Sequence, residues 1–489
     1  MARVAHNQWQ EVVFVGDQSR AVLSQAAKAG RAFRLGPGIY TPRTSAPPEE
    51  TVRRNWAQIL DHELPGAIIT DRSARSSGPV DGILTVVHGR KRPLDLPGLT
   101  IMPRPGSPAL PGDTPMLSVR LASRARAMLE NLGGRSRDRY LSPAEVETWL
   151  ADILVNEGSD NLLRVRDDAH RLAPLGGWTK EQRTLDAMIG AALSTRPAEV
   201  LSTEALRAHA TGVPYDHNRL ELFVGLAHAL IDTPPEPLPL LAQDAGRRLM
   251  LPFYEAYFSN YIEGTEFTLD EAAAIVFDDV VPSNRPQDAH DILGTYRVVA
   301  DEREMARTPE SADDLVRLLE ARHRSLMEAR PDKRPGQFKE RANQAGSSLF
   351  VAPQLVEHTL RRGFDAGAGL IDPFARAVYL GFIVSEVHPF DDGNGRIARI
   401  TMNGELSRAR EARIIIPTVY RNNYLSAMKA ATHNANFASL IATLRFAQRY
   451  TARIDFTSRA TAEADFARTN ALRDANEADL AGVRLRMPG

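Results

Sequence analysis

The run His388-Pro389-Phe390-Asp391-Asp392-Gly393-Asn394-Gly395-Arg396-Ile397-Ala398-Arg399 constrains this chain more than any other stretch. Two glycines flanking an asparagine permit backbone angles and close approaches that other residues refuse. The residues that follow, Arg396 to Leu406, put Ile397 and Ile400 on one helical face and predict a helix despite Gly404. The run should therefore fold as a tight loop that points successive N–H groups at one spot, at the positive end of a helix. That is an anion nest. Arg396 and Arg399 lie three apart and can share one side of the first turn. Cations at a helix N-terminus are disfavoured by the dipole, so two of them there imply an anion that offsets the cost.

The remaining groups fit a triphosphate. Asp392, beside the nest, is the candidate Mg²⁺ ligand, because this cation bridges phosphate oxygens and needs only one or two carboxylates. His388 is the only group in the run that can take a proton near neutral pH, and is the candidate general base. Pro389 restricts the backbone and Phe390 should anchor the loop in the core. Taken singly, Gly-Asn-Gly is an ordinary turn, a histidine beside an apolar segment is an ordinary half-buried residue, and two arginines are an ordinary solvated face. Their order and spacing make the phosphate site. With no Gly-Lys-Ser/Thr and no G-x-G-x-x-G spacing, the site is neither a P-loop nor a dinucleotide fold.

At every specified position the run resembles the Fic family signature, H-P-F-x-[D/E]-G-N-G-R-x-x-R. Ile414-Ile415-Ile416-Pro417-Thr418-Val419-Tyr420-Arg421-Asn422-Asn423-Tyr424 is similar to the family's segment after the motif. Pro335-Gly336-Gln337-Phe338 through Phe350-Val351-Ala352-Pro353 is similar to its flap, a β-hairpin that lays a target segment across the site. The resemblance covers about residues 245–450. It implies transfer of a nucleoside monophosphate, usually AMP from ATP with Mg²⁺, to a hydroxyl of a target protein docked along residues 335–353. His388 would deprotonate the target Ser, Thr or Tyr, and Asp392 would hold Mg²⁺ on the α- and β-phosphates. The amides of Gly393, Asn394 and Gly395 together with Arg396 would cradle the phosphates, and Arg399 would bind the γ-phosphate.

Ser259-Asn260-Tyr261-Ile262-Glu263-Gly264 resembles the family's inhibitory helix motif, [S/T]-x-x-x-E-[G/N]. A carboxylate at Glu263 that reached Arg399 would neutralise the charge meant for the γ-phosphate and repel the phosphate itself. Without that resemblance, Ser259 and Glu263 read as a solvated helix end stopped by Gly264. The chain continues into Thr268 and Glu271, spaced as a capping box for a new helix.

The fold expected is mainly α. A Fic-type helical domain with a β-hairpin flap occupies residues 241–455. A small α/β winged-helix-like module over 1–135 and a helical connecting region over 136–240 precede it, and a helical tail over 456–489 follows. In the first module, residues 22–30 read as a short helix and 34–40 as a turn into a strand, like a wing. Residues 64–70 and 83–87 are strand-like, and the Pro/Gly-rich stretch 93–115 reads as irregular. This region is similar to the winged-helix antitoxins of type IV abortive-infection systems, which makes DNA a possible partner through Arg31, Arg34, Arg53 and Arg54. Ser142 with Glu145, and Thr179 with Gln182, are spaced as capping boxes.

A net charge of −1 argues against a whole-surface nucleic-acid binder. The absence of cysteine excludes thiolate catalysis and disulfides, and fits a reducing, cytoplasmic setting. No apolar run approaches a membrane span, and Met1 to Asn7 lacks a signal-peptide core. Two functional classes remain. One is an autoinhibited AMP-transferring enzyme, whose site could also remove AMP or use another nucleotide. The other is a DNA-binding regulator whose Fic-like domain senses a nucleotide, a role that would not need His388.

Overall fold

The computed structural model describes residues 10–43, 46–240, 246–346 and 348–488. The N-terminal heptapeptide read above for a signal core lies outside them. The chain divides into two compact units, Met1–Gly212 and Val213–Gly489.

In the first unit, helix Arg20–Lys28 is capped by Ser19 and leads into a small antiparallel sheet. Its strands are β1 (Val13–Phe14), β2 (Ala32–Gly36) and β3 (Ile39–Pro42), in the order β1-β3-β2. The hairpin β2–β3 is the expected wing-like turn. A second sheet follows, built from β4 (Ile68–Ile69), β5 (Ile83–Val87), β6 (Leu94–Leu96), β7 (Leu99–Arg104), β8 (Thr114–Met116) and β9 (Val119–Leu121). Its order is β6-β7-β5-β4-β9-β8, with β7 parallel to β5 and β9 parallel to β4.

The stretch 93–115 is therefore irregular only in part: residues 105–113 form neither helix nor strand, but Leu94–Leu96 and Leu99–Arg104 are strands. Leu94 and Leu96, then Leu99 and Ile101, alternate into the core with the two-residue period of a strand. Pro103 is tolerated in β7 because β6 pairs only with Leu99–Ile101, leaving Pro103 beyond the end of that ladder.

Helices Arg124–Gly133, Pro143–Glu157, Ser159–Gly176, Thr179–Ala192 and Glu204–Ala210 complete the first unit around Met128, Leu150, Leu162, Leu185 and Leu206. The stretch expected as a connecting region is thus divided. Its part up to residue 212 shares this core, while helix His217–Ile231 belongs to the second unit. The Ser142–Glu145 capping box forms, with Pro143 in the first turn. The Thr179–Gln182 box does not, because Trp178 takes the N-cap position and Thr179 is already helical.

Among the described residues the regular structure of the second unit is helical apart from one hairpin, β10 (Gln344–Ala345) and β11 (Ser348–Leu349), paired Gln344↔Leu349 and Ala345↔Ser348. It lies within the segment expected as a flap. Two antiparallel neighbours form the centre, helix Pro373–Val387 and helix Asn394–Arg408, and residues 388–393 form the turn between them.

Helix Leu251–Ile262 is fixed to this pair by a buried polar network. Asn403 Nδ2 donates to Glu255 Oε1 (2.8 Å) and to the Ile414 carbonyl (2.9 Å), and Asn403 Oδ1 accepts from the Ile414 N–H (2.8 Å). Arg413 donates to the other Glu255 oxygen at 2.7 Å. The capping box Thr268–Glu271 forms and starts helix Leu269–Phe277. The tail makes two helices, Arg459–Thr469 and Ala475–Leu480. It is part of the core, since Ala462, Phe466 and Ala471 sit in one cluster with Phe253, Tyr254 and Phe258. No helix among the described residues is long and apolar enough to cross a membrane.

Candidate active site

The turn between the two central helices is held by its own side chains. Asn394 Oδ1 accepts from the Phe390 N–H and Asn394 Nδ2 donates to the Phe390 carbonyl, both at 2.8 Å. The Asn394 side chain therefore shapes the loop, which leaves its backbone amide for an anion. Phe390 is fully buried and stacks on His323 at 3.8 Å. His323 Nδ1 accepts from the Gly336 N–H (2.9 Å), so its proton lies on Nε2, which donates to the Asp392 carbonyl (3.1 Å). Gly393 has φ 75°, a conformation open to glycine at little cost, and donates its N–H to Asp392 Oδ1 at 2.6 Å.

Helix Asn394–Arg408 begins beyond this turn, and Ile397 is the first residue whose N–H closes back on the Gly393 carbonyl (3.0 Å). The amides ahead of it point out of the helix start. Gly395 is helical and is closely approached by Glu263. A Cβ there would stand 2.1 Å from Glu263 Oε1. The Glu263 carboxylate thus occupies the cradle predicted for an anion.

Glu263 caps the C-terminal end of helix Leu251–Ile262. Its Oε1 accepts from Arg399 Nη2 at 2.6 Å. Arg399 also donates through Nε to Ser259 Oγ (2.9 Å) and through Nη2 to the Ser259 carbonyl (2.8 Å). A guanidinium against the last carbonyls of a helix is favoured by the dipole, which helps to hold this cation in place. Burial works against the Glu263 charge, but the Arg399 charge and hydrogen bond, with Arg396 behind them, outweigh it and hold the carboxyl below the usual range. The pair is half-open: the Glu263 side chain is 37% exposed and that of Arg399 is 7% exposed.

Arg396 is buried and faces Asp291 (2.9 Å), Asp392 (3.4 Å) and Asn260 (3.5 Å). Its Nε is buried with no hydrogen-bond partner. An orphaned guanidinium N–H beside a glycine cradle suits phosphate oxygens. Asp392 commits Oδ1 to Gly393 and Arg396, and its Oδ2 lies 3.8 Å from Lys333 Nζ. That leaves one half-exposed carboxylate oxygen for a cation. A single oxygen suits Mg²⁺ held mainly by phosphates and water, not a cation needing a full protein cage.

His388 ends helix Pro373–Val387 in the left-handed region, at φ 52°. For a non-glycine residue that conformation costs roughly 1–2 kcal/mol and persists only where the surroundings enforce it. Nδ1 of His388 donates to the Ser385 carbonyl at 3.2 Å, so Nε2 is the free acceptor. Phe350, just past the β10–β11 hairpin, stacks on the His388 ring at 3.7 Å and 5°. Burial pushes the His388 pKa down to about 4, against the pull of the Ser385 carbonyl, so the ring is neutral at neutral pH.

Residues 314–406 match the Fic/DOC family. This segment is a Fic domain. The chain is 27% identical to protein adenylyltransferase Fic of Nematostella vectensis over 186 residues, which cover 37% of this chain and 43% of that protein. It is 26% identical to protein adenylyltransferase fic-1 of Caenorhabditis elegans over 215 residues, covering 42% and 41%. The chain thus spans less than half the length of these curated relatives. A solved structure of a C. elegans Fic-1 segment aligns with a TM-score of 0.37 and 20% identity, over 62% of this chain and 94% of that one.

The Fic domain and the helix carrying Glu263 bring together every residue expected at the site: Ser259, Glu263, His388, Asp392, Gly393, Asn394, Gly395, Arg396 and Arg399. Sequence reasoning missed Asp291, His323, Lys339, Asn343 and Phe350. Lys339, Asn343 and Phe350 lie inside the flap-like segment, and a search there for side chains able to reach residues 387–390 would have found them. Asp291 and His323 sit on helices Pro286–Ala300 and Ala312–Leu326 with no local signal. The basic residues considered for DNA show no concerted arrangement. Arg54 pairs with Glu11 at 3.3 Å, Arg34 Nε turns back to the Gly36 carbonyl, and Arg31 and Arg53 are exposed.

Proposed function

We propose that this chain is a protein adenylyltransferase that moves AMP from ATP to a Ser, Thr or Tyr hydroxyl of a target protein, and that Glu263 holds it off. The observation that carries the reading is the position of the Glu263 carboxylate. It lies on Arg399 and against Gly395, at the helix start where a terminal phosphate would be received.

The chemistry follows from the arrangement. Once Glu263 withdraws, Arg399, the amides of Asn394 and Gly395, and Arg396 Nε receive the triphosphate. The target segment lies along residues 335–353, with its hydroxyl directed at His388 Nε2. His388 takes the hydroxyl proton on Nε2 while Nδ1–H stays on the Ser385 carbonyl, which fixes the ring orientation. The target oxygen bonds to the α-phosphorus as the bond from that phosphorus to the bridging oxygen breaks, and pyrophosphate leaves with the electron pair. Triphosphate charge near His388 raises its pKa from the low value of the held-off state toward neutrality, where a base works best. Mg²⁺ on Asp392 would offset charge on the α- and β-phosphates. Most of the rate enhancement comes from positioning and from fixed positive charge. The match to proteins named adenylyltransferases supports the transfer, and the cysteine-free composition supports a cytoplasmic setting.

The test is incorporation of label from α-labelled ATP into proteins of a cell lysate, or into the chain itself, by Glu263→Gly and by Glu263→Gly/His388→Ala. Labelling by the first and not the second is expected. Absence of labelling by the first under Mg²⁺ overturns the reading.

A further inference from the structure

Lys339 lies 3% exposed beside the turn that carries His388, and among the described residues no carboxylate forms an ion pair with it. A lysine in such a place is uncommon, because its ammonium loses water without gaining an opposite charge. Its hydrogen bonds account for it. The Lys339 N–H donates to the Pro389 carbonyl at 2.8 Å and Nζ donates to the Val387 carbonyl at 3.2 Å. These two carbonyls flank His388. Nζ also donates to Asn343 Oδ1 at 2.7 Å, and Asn343 Nδ2 donates to the Phe390 carbonyl at 3.0 Å. The carbonyls of residues 387, 389 and 390 are thus all held by one Lys–Asn pair at the root of the hairpin.

The same pair governs the other side of the histidine. The Phe350 N–H donates to the Asn343 carbonyl at 3.3 Å, and the Phe350 ring covers the imidazole. The backbone around His388 and the ring stacked on it therefore share one support. We propose that Lys339, with Asn343, is a positioning residue for the transfer, clasping the hairpin onto the His388 turn so that Nε2 faces an incoming hydroxyl. This rests on the transfer reading above. Lys339 itself touches neither nucleotide nor hydroxyl.

Two further facts favour a clasp over simple packing. His388 is left-handed, a conformation its own sequence does not favour, and the donors on the two carbonyls that flank it come from Lys339, outside the turn. An apolar side chain of the same length would fill the space equally well but would leave the Val387 carbonyl and Asn343 Oδ1 unpaired. Burial brings the Lys339 pKa down to about 7, partly opposed by Asp391, while Arg219 pushes the same way as burial. His388 and Arg334, which pairs with Asp391, complete the charged surroundings.

The test uses the full chain in the Glu263→Gly background and compares Lys339→Met, Lys339→Arg and Asn343→Leu. A misplaced base loses chemistry without losing the nucleotide. Lys339→Met should therefore lower kcat for transfer roughly 10- to 100-fold while KM for ATP stays within about threefold. Lys339→Arg, which can still donate to carbonyls, should recover part of the loss. In histidine-labelled protein, the His388 ring resonances should lose the ring-current shift from Phe350. An unchanged kcat in Lys339→Met, or a loss of kcat and ATP affinity in equal proportion, overturns the proposal. If Lys339→Met does not fold, Asn343→Leu must show the same kcat loss, and an unaffected kcat there overturns it. If the Glu263→Gly parent transfers nothing, the transfer reading fails by itself. The clasp is then judged on the His388 resonances, and an unchanged ring-current shift in Lys339→Met rejects it.

Discussion

Glu263 Oε1 and Arg399 Nη2 meet at 2.6 Å beside Gly395, where a Cβ would stand 2.1 Å from the carboxylate oxygen. One contact therefore does two things. It neutralises Arg399, and it sets a negative group against the helix start. Under the proposed function, ATP that binds productively displaces it. Glu263→Gly should raise transfer or self-modification at least about tenfold, a differential of ~1.4 kcal/mol. Adding Arg399→Ala should cancel the gain, because the freed cation is then absent. Removal of Glu263 leaves Arg399, 7% exposed, without its carboxylate, so the unfolding midpoint should also fall. Comparison of parent, single and double variants with labelled ATP checks this, and a Glu263→Gly variant no more active than the parent rejects the brake.

His388→Ala should abolish transfer yet retain ATP binding, since the cradle and both arginines remain. The pH dependence follows from its pKa. Burial lowers the folded value to about 4 from 6.5, so the base is already neutral throughout the neutral range. The acid limb of kcat/KM, which reports the free enzyme, should lie well below pH 6.5. It should lie lower still in Glu263→Gly, where a charge that favours the protonated ring is gone. Stability has the corresponding sign. Between pH 6.5 and 4 the unfolded chain takes up a proton that folded His388 refuses, so this group's contribution falls on acidification across that window. Transfer kinetics and urea unfolding at several pH values measure both, and an acid limb at or above 6.5 contradicts the burial argument.

Asp392→Ala should remove the Mg²⁺ dependence of ATP binding, because Oδ2 is the carboxylate oxygen left open beside the cradle. Calorimetric titration of ATP with and without Mg²⁺ should show a gain in affinity for the parent and none for the variant. Full transfer by the parent in excess chelator would exclude the metal role.

Much of the site was legible in the chain because its chemistry is contiguous. His388 to Arg399 are separated by one turn, so local backbone geometry places them near one another, while Lys339, Asn343 and His323 hold that turn from elsewhere in the fold. Glu263 lies far from Arg399 along the chain, and only the resemblance to an inhibitory motif linked them. Asp291 and His323 were invisible for a physical reason. Each sits on an ordinary amphipathic helix, and its partner, Arg396 or the Phe390 turn, is supplied by tertiary packing. In the N-terminal unit, the density of proline and glycine in 93–115 hid the alternation of Leu94, Leu96, Leu99 and Ile101. Thr179 missed its cap because one residue of helix extension moved Trp178 into that position.

The tail offers the last test, through Phe466 and Asp474. Phe466 is 1% exposed and packs edge-on against Tyr254 (4.8 Å) and Phe258 (5.4 Å), both on the helix that carries Glu263. Asp474 accepts from the Tyr261 hydroxyl at 3.1 Å, two residues before Glu263. The C-terminal end of that helix is thus supported from outside the Fic domain. Phe466→Ala should destabilise the chain by about 3–5 kcal/mol, the usual cost of emptying a buried aromatic site. Asp474→Ala removes this hydrogen bond and also the N-cap of helix Ala475–Leu480, where Asp474 accepts from the Asn476 and Glu477 amides, and should cost about 1–2 kcal/mol. The two variants should nonetheless share one effect. Each loosens the seat of Glu263 while leaving the Arg399 side of the pair intact, so basal transfer should rise in both, though less than in Glu263→Gly. In a Glu263→Gly background the same substitutions should add nothing, because the group they release is already gone. Basal labelling of the four variants at a temperature where all are folded decides it. A rise that persists in the Glu263→Gly background would mean that the tail acts on some other part of the site.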